Sequence, residues 1–345
     1  MIKKECFTAE WIEQVSSELH YNDKNLIEKV IRALSLLEML VKAGCPLVFK
    51  GGTALMLILG KSAHRLSIDI DLICPPGTNI EDYLKSFADF GFINLELVER
   101  KQRDDADIPK SHSKFFYQIA YRNDTDAQSY IRTQQIAINC PFIRLEGKPL
   151  MVTVPSAEDI LGDKLTAFAP NTTGIPYYRN GRSCSMEIAK QLYDVGRLFE
   201  NVSDLQITKE AFRKIAVVEL SYRSFGTDIG QVFNDIRQTA LCISTRGKAG
   251  EGDFDLIQDG IIRVKSFMYK QRYLIDHAII DAARAAYLAT LIEKGINEIE
   301  SYSNNPADIK DMVIRPSLPN KLNKLRSNLP EAYYYWAKTS ELLEA

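Results

Sequence analysis

The residues of this chain whose types and spacing could do chemistry are concentrated between 49 and 72. FKGGTALMLILG is followed by HRLSIDIDL, so a glycine turn opening a short apolar helix stands just before a strand carrying Asp69-Ile70-Asp71. The start of a helix offers unpaired backbone N–H groups and partial positive charge, a setting suited to phosphate. Gly51 and Gly52 let a ligand approach the backbone closely, and Thr53 can cap the helix or touch a phosphate oxygen. In a strand, residues i and i+2 share a face, which sets Asp69 and Asp71 side by side, roughly 7 Å apart at Cα. Two carboxylates so placed can hold one or two Mg²⁺ ions that bridge the oxygens of a triphosphate. Paired glycines are common in turns, and DxD on a solvated strand often has no function. Their combination in this order, flanked by Arg65 and Ser67, favours the functional reading.

The elements that must position these groups follow from periodicity. Leu66, Ile68, Ile70 and Leu72 alternate with Ser67, Asp69 and Asp71, so a strand is expected from just after Arg65, with its apolar face in the core. Upstream, Leu26, Ile27, Val30, Ile31, Leu34, Leu37, Leu40 and Val41 recur at helical spacing, and Gly44 stops the run. A short strand is expected over 46–49 and a short helix over 54–59. Downstream, a helix over 82–90, a strand over 93–98, an exposed loop over 101–112 and strands over 115–121 and 134–139 complete a mixed region. Beyond 155 the spacing predicts helices over 156–169, 185–200, 208–220, 228–243, 254–270 and 272–295. A proline-rich connector over 306–330 then precedes a last helix over 331–343. Gly147, Pro149 and Pro155 punctuate the change. The expected fold class is therefore α+β, with an α/β domain over 1–150 followed by a mainly helical domain over 151–345.

Composition narrows the function classes. The 345 residues are 26% charged and 46% hydrophobic with a formal net charge of −2, as in a folded globular protein. No apolar run approaches ~18 residues, so no spanning helix is expected, and the lysine-rich start lacks the apolar core of a secretory leader. Six scattered cysteines and four histidines without ligand-like spacing argue against structural zinc; they fit reduced thiols and a cytoplasmic setting. Near-neutral charge excludes a chain that coats nucleic acid wholesale, but not a local basic groove.

GGTAL…RxSxDIDL resembles the signature of the AbiEii/AbiGii-type nucleotidyltransferase toxins, within the polymerase-β-like nucleotidyltransferase superfamily. The resemblance is specific over about 45–75 and supportive over 150–200. It implies a polymerase-β-like nucleotidyltransferase domain with a mixed sheet, Mg²⁺-dependent transfer of a nucleotide from an NTP, and a toxin role neutralised by a cognate antitoxin. In characterised relatives the acceptor is the 3′ end of tRNA. The resemblance assigns Asp69 and Asp71 to metal, and Gly51, Gly52, Thr53, Arg65 and Ser67 to the nucleotide.

A second set of residues lies further on. Ser156 and Asp159 read as a helix start, and Lys164 falls in the middle of the stripe Ile160, Leu161, Leu165, Phe168. A lysine there is costly unless something negative meets it; it snorkels, pairs with a structural acid, or serves phosphate. Lys164-Leu165-Thr166-Ala167 matches the family's K-L-x-A helix, which assigns Lys164 to the triphosphate and to transition-state charge. Lys190-Gln191-Leu192-Tyr193-Asp194 resembles the family's K/R-D-L-Y-D helix, with Gln191 in place of the first acid and Asp194 kept for catalysis. Many superfamily members add a third carboxylate on a neighbouring strand. The strand expected at 134–139 has Ala137 and Asn139 where that acid is sought. Asp194 then takes the base role, a metal-bound hydroxyl needs no separate base, or activity is impaired.

Three features bear on the acceptor. The loop PNTTGIPYYRNGRSCS carries Arg179 and Arg182, either as a flap offering guanidinium to phosphate or as ordinary surface. Arg263, Lys265, Lys270 and Arg272, with Phe267, Tyr269 and Tyr273, read as a phosphate-tracking groove with stacking rings or as a solvated helix face. Arg315, Lys321, Lys324 and Arg326 form a second run, and Tyr333 to Trp336 is a stacking platform or a packed helix. The leading expectation is transfer from an NTP to RNA, at the 3′ end of tRNA. The alternatives are a small-molecule or protein hydroxyl as acceptor, or a non-catalytic nucleotide-binding module.

Overall fold

The computed structural model describes residues 1–84, 96–97, 112–114, 118–123, 131–202, 204–223, 226 and 228–345. The fold is α+β, and the chain divides into two compact units: Met1–Ser156 with Ser266–Arg272, and Ala157–Lys265 with Tyr273–Ala345.

The first unit runs α1 (Ala9–Glu18), α2 (Lys24–Lys42), β1 (Val48–Lys50), α3 (Gly51–Leu59), β2 (Ile70–Cys74), α4 (Ile80–Leu84), β3 (Glu96–Leu97), β4 (His112–Lys114), β5 (Gln118–Asn123), β6 (Thr133–Ala137) and β7 (Met151–Pro155). The sheet order is β1-β2-β5-β4-β3, with β2 and β5 parallel and the other pairs antiparallel. The β6–β7 pair is separate. Helix α2 forms because its apolar residues recur at helical spacing and Asp23 caps it, accepting from the Leu26 N–H at 3.0 Å. Its buried stripe, including Ile27, Val30, Leu34 and Leu37, joins Phe49, Leu66, Ile70 and Leu72 in one core. Of the helix expected over 82–90, residues 85–90 lie outside the described residues. So do 93–95 and 98 of the expected strand, 101–111 of the expected loop and 115–117 of the next strand.

One boundary differs from the expectation in a way that matters. Strand β2 begins at Ile70 rather than beside Arg65. Residues 63–66 pair instead with the returning segment: Arg65 bridges Met268, Leu66 N–H donates to Phe267 O at 2.8 Å, and Tyr269 N–H to His64 O at 2.9 Å. Accordingly α9 stops at Val264 rather than near 270. Leu66, Ile70 and Leu72 are buried and Asp69 exposed, as alternation predicts, but Ser67 is buried too and Ile68 only half-buried.

The second unit holds α5 (Ala157–Ala167), β8 (Tyr178–Arg179), β9 (Arg182–Ser183), α6 (Ser185–Phe199), α7 (Leu205–Tyr222), α8 (Ile229–Ser244), α9 (Phe254–Val264), α10 (Ile275–Lys294), α11 (Leu325–Asn328) and α12 (Pro330–Glu344). Helix α10 lies at its centre, packed against α6, α8 and α12. Ala278, Ala282, Ala283, Ala285, Ala286 and Ala289 are fully buried along it, and their small side chains let neighbouring helices come close on several sides. Two charges on this helix, Asp281 and Arg284, are buried and paired 3.3 Å apart, with Arg284 also 2.9 Å from Glu200. Among the described residues no helix is long and apolar enough to cross a membrane. All six cysteines are free thiols, Cys184 half-buried and the others buried.

Candidate active site

Antiparallel pairing of β1 with β2 sets Lys50 opposite Asp71, so the glycine turn that follows β1 lies beside the DxD residues. Gly51 has φ +82°, a conformation that side chains disfavour. A Cβ there would also fall 1.9 Å from Asp71 Oδ2, so the carboxylate fills the space that glycine leaves open at the first turn of α3. A Cβ on Gly52 would fall 2.8 Å from Ser67 Oγ and 2.9 Å from Arg65 Nη2. Thr53, fully buried, donates from Oγ1 to the Asp69 carbonyl at 2.7 Å. Arg65 is itself buried and donates to the Leu66 carbonyl at 3.2 Å. The structure thus brings Gly51, Gly52, Thr53, Arg65, Ser67, Asp69 and Asp71 together within the first unit.

These residues fit a divalent cation by their chemistry. Asp69 is exposed and Asp71 half-buried, both hard oxygen donors. Among the described residues no cluster of three or more His, Cys, Asp or Glu forms. Mg²⁺ needs no such cage, because it keeps several waters and takes one or two carboxylates plus substrate phosphates.

The strand sought for a third carboxylate is not β2's neighbour. Strand β6 pairs with β7, Ala137 opposite Met151, whereas β2 is flanked by β1 and β5. Asp71 lies opposite Ala120 of β5, and Gln118–Asn123 contains no acid either.

In the second unit, Lys164 on α5 meets Asp194 on α6, Nζ to Oδ2 3.1 Å, with side-chain exposures of 8% and 2%. Lys164 also donates to Gln191 Oε1 at 3.0 Å. The lysine on the apolar stripe thus has the negative partner its burial demands, and Gln191 accepts a second of its three donors.

The other candidate groups resolve differently. Arg179 and Arg182 sit exposed on a short β-hairpin, with Asn180 and Gly181 at φ +52° and +74° in its two-residue turn. Sequence reasoning missed this element, although Asn-Gly between two short β-prone pairs signals it. It also missed the return of Ser266–Arg272 to the first unit, which supports Arg65. The groove with stacking rings is corrected by burial. Tyr269 and Tyr273 are 2% and 3% exposed, and Tyr269 packs edge-on against Phe142 at 5.2 Å. Arg263 and Lys265 belong to the second unit, Lys270 and Arg272 to the first. Tyr333, Tyr334, Tyr335 and Trp336 are buried, a packed helix rather than a platform. In the later run, Arg326 donates to the Ile309 carbonyl at 3.0 Å, and Arg315 lies 3.7 Å from Glu344.

Comparison with known proteins completes the picture. Residues 34–260 match the family described as nucleotidyl transferase AbiEii toxin, type IV toxin–antitoxin system. No curated protein matches the chain in sequence. Among solved structures, JHP933 from Helicobacter pylori is similar at 17% identity over 80% of this chain and 94% of that one, with a TM-score of 0.35. MenT4, a nucleotidyltransferase toxin from Mycobacterium tuberculosis, is similar at 12% identity over 81% and 89%, with a TM-score of 0.40. Both scores are low, and the assignment rests on the family match. That match spans the glycine turn, the DxD strand, Lys164 and Asp194, and by it the chain belongs to the AbiEii family of nucleotidyltransferase toxins.

Proposed function

We propose that this toxin transfers a nucleotide from an NTP to an RNA hydroxyl, the 3′ end of tRNA, and that Asp69 and Asp71 hold the Mg²⁺ the transfer requires. The observation that carries the reading is the Asp71 carboxylate set over Gly51 at the first turn of α3, with Asp69 tied to the same helix through Thr53. A carboxylate so close to helix N–H groups, with Asp69 two residues away, suits a metal-bound triphosphate better than either would alone.

The acceptor hydroxyl attacks the α-phosphorus in line, a new P–O bond forms, the bond to the β-phosphate oxygen breaks, and pyrophosphate leaves. Magnesium, when bound, neutralises triphosphate oxygens and the charge that develops on the leaving group. The backbone N–H groups of Gly52 and Thr53 donate to phosphate oxygens. Arg65, held beside Gly52, adds a fixed positive charge, and Ser67 adds a hydroxyl donor. Lys164 and Asp194 are assigned to the same reaction by the family's helix motifs, Lys164 to phosphate charge and Asp194 to assisting the attacking hydroxyl. Support for tRNA is the acceptor that the sequence's resemblance to this toxin family implies, and the type IV assignment implies an antitoxin partner.

The test supplies each α-³²P-labelled NTP in turn with Mg²⁺ and total tRNA to wild type and to Asp69→Ala/Asp71→Ala. Label entering tRNA, lost with the double substitution, is the expected result. Label entering protein or a small molecule in RNase-treated lysate, but not tRNA, would replace the acceptor. No transfer from any NTP to any acceptor would overturn the reading.

A further inference from the structure

Within the helical unit a cavity of about 500 Å³ opens between the turn after α8, the start of α10 and the segment leading into α11. Its size falls in the range of small-molecule clefts. Arg246, Lys248, Lys321 and Lys324 line it against one acid, Asp276. Arg246 shares its charge with Asp276 at 3.0 Å. Among the described residues no acid pairs with Lys248 or Lys324. The mouth therefore carries a clear excess of positive charge, and the N-terminus of α10, which begins at Ile275, adds its partial positive charge.

The basic rim is held in place. Arg246 has φ +54°, an uncommon conformation for a non-glycine residue, followed by Gly247 at +75°. Thr245 Oγ1 braces this turn, accepting from Ala249 N–H at 2.9 Å, and Lys321 Nζ donates to the Lys248 carbonyl at 2.7 Å. Ile279 and Leu325, both apolar and largely buried, also line the cavity. Apolar side chains beside an excess of cations are a lining that a nucleotide matches, its planar base against the former and its phosphate against the latter.

We infer that this cavity binds the phosphate-bearing part of a nucleotide, independently of Asp69 and Asp71. The nucleotide could belong to a free mononucleotide or to an RNA strand, which share that chemistry; an acidic peptide would lack the planar group. The test uses the full chain in EDTA, which removes metal-dependent binding at the DxD residues. The probes are 5′-AMP, followed calorimetrically, and a short fluorescein-labelled single-stranded RNA, followed by anisotropy. The variants are Lys248→Glu/Lys324→Glu, the milder Lys248→Gln/Lys324→Gln, and Asp69→Ala/Asp71→Ala, each checked by its melting temperature.

Charge reversal is expected to weaken binding by about tenfold or more and to flatten its salt dependence, because lysine–phosphate contacts release counterions. The glutamine pair should show a smaller loss in the same direction, and the aspartate variant no loss. Binding of AMP alone, lost on reversal, makes the source a free nucleotide; binding of RNA, lost on reversal, makes it a strand. No binding of either probe, or binding unchanged by reversal in a folded variant, overturns the site. Failure of nucleotide transfer would leave this binding result untouched.

Discussion

The Asp71 carboxylate occupies the place where a side chain on Gly51 would begin, with Oδ2 1.9 Å from that ideal Cβ position. Two independent facts therefore require glycine at 51: its φ of +82° and the carboxylate itself. Gly52 is held less strictly, since its φ is not in the left-handed region, although a Cβ there would press on Ser67 and Arg65.

From this follows an ordering of two substitutions. Gly51→Ala should displace Asp71 and abolish growth arrest by the expressed toxin, a loss of about a hundredfold or more in transfer, since small misplacements at a reacting site have that scale of effect. Gly52→Ala should lose less, because it disturbs Ser67 and Arg65 without also straining the backbone. Nucleotide transfer and colony counts under induction test both, and equal activity in the two variants would contradict the ordering.

The Lys164–Asp194 pair makes a different prediction. Lys164→Ala leaves Asp194, 2% exposed, as a buried charge without this cation, and breaking such pairs costs about 3–5 kcal/mol. Replacing both partners, as in Lys164→Met/Asp194→Leu, should recover most of the melting temperature because neither charge remains. If the two residues act in transfer, the stabilised double variant stays inactive. Recovered activity alongside recovered stability would reduce the pair to a structural one.

Much of this was legible in the sequence, where the determinants are local. The α2 stripe and the glycine turn at the start of α3 depend on neighbours within a few residues and form where the sequence places them, whereas Asp69 falls just outside the strand that carries Asp71. Lys164 on an apolar stripe demanded a negative partner, and the spacing of α6 carries Asp194 within reach. What was not legible is long-range. The start of β2 moved from 66 to 70 because Ala63 and its neighbours pair with a segment 206 residues later, which no local pattern encodes. The same pairing ended α9 early and buried rings that, as a list, resembled a stacking groove. The position of β6 beside β7 is likewise a property of the sheet.

Asp235 supplies a pH dependence. It is buried and accepts from Asn171 N–H at 2.9 Å, Asn171 Nδ2 at 2.8 Å, Thr172 Oγ1 at 2.8 Å and Thr239 Oγ1 at 3.2 Å. Burial pushes its carboxyl above the ordinary value of 3.8, and these donors offset the shift only in part. The folded state therefore keeps a proton that the unfolded state has released. This site alone lowers stability as pH rises from 3.8 through the raised value, and has no further effect above it. The melting temperature of wild type minus that of Asp235→Asn should fall as pH rises from 4 toward neutrality. A difference that grows over that interval would reverse the sign.

The returning segment can be tested through Tyr269. Its ring is 2% exposed and packs edge-on against Phe142, and its hydroxyl donates to the Ala63 carbonyl. Truncating a buried aromatic to alanine costs about 3–5 kcal/mol, whereas Tyr269→Phe removes only a hydrogen bond, about 1 kcal/mol, and leaves the ring. Because Met268 and Phe267 pair with Arg65 and Leu66, loosening this segment also loosens the arginine beside Gly52. Tyr269→Ala should therefore weaken metal-dependent NTP binding at a temperature where the protein is still folded, while Tyr269→Phe binds nearly as wild type. Melting curves and NTP titrations on the same samples separate the two effects. An alanine variant that loses stability but binds NTP normally would show that the segment supports the core without positioning Arg65.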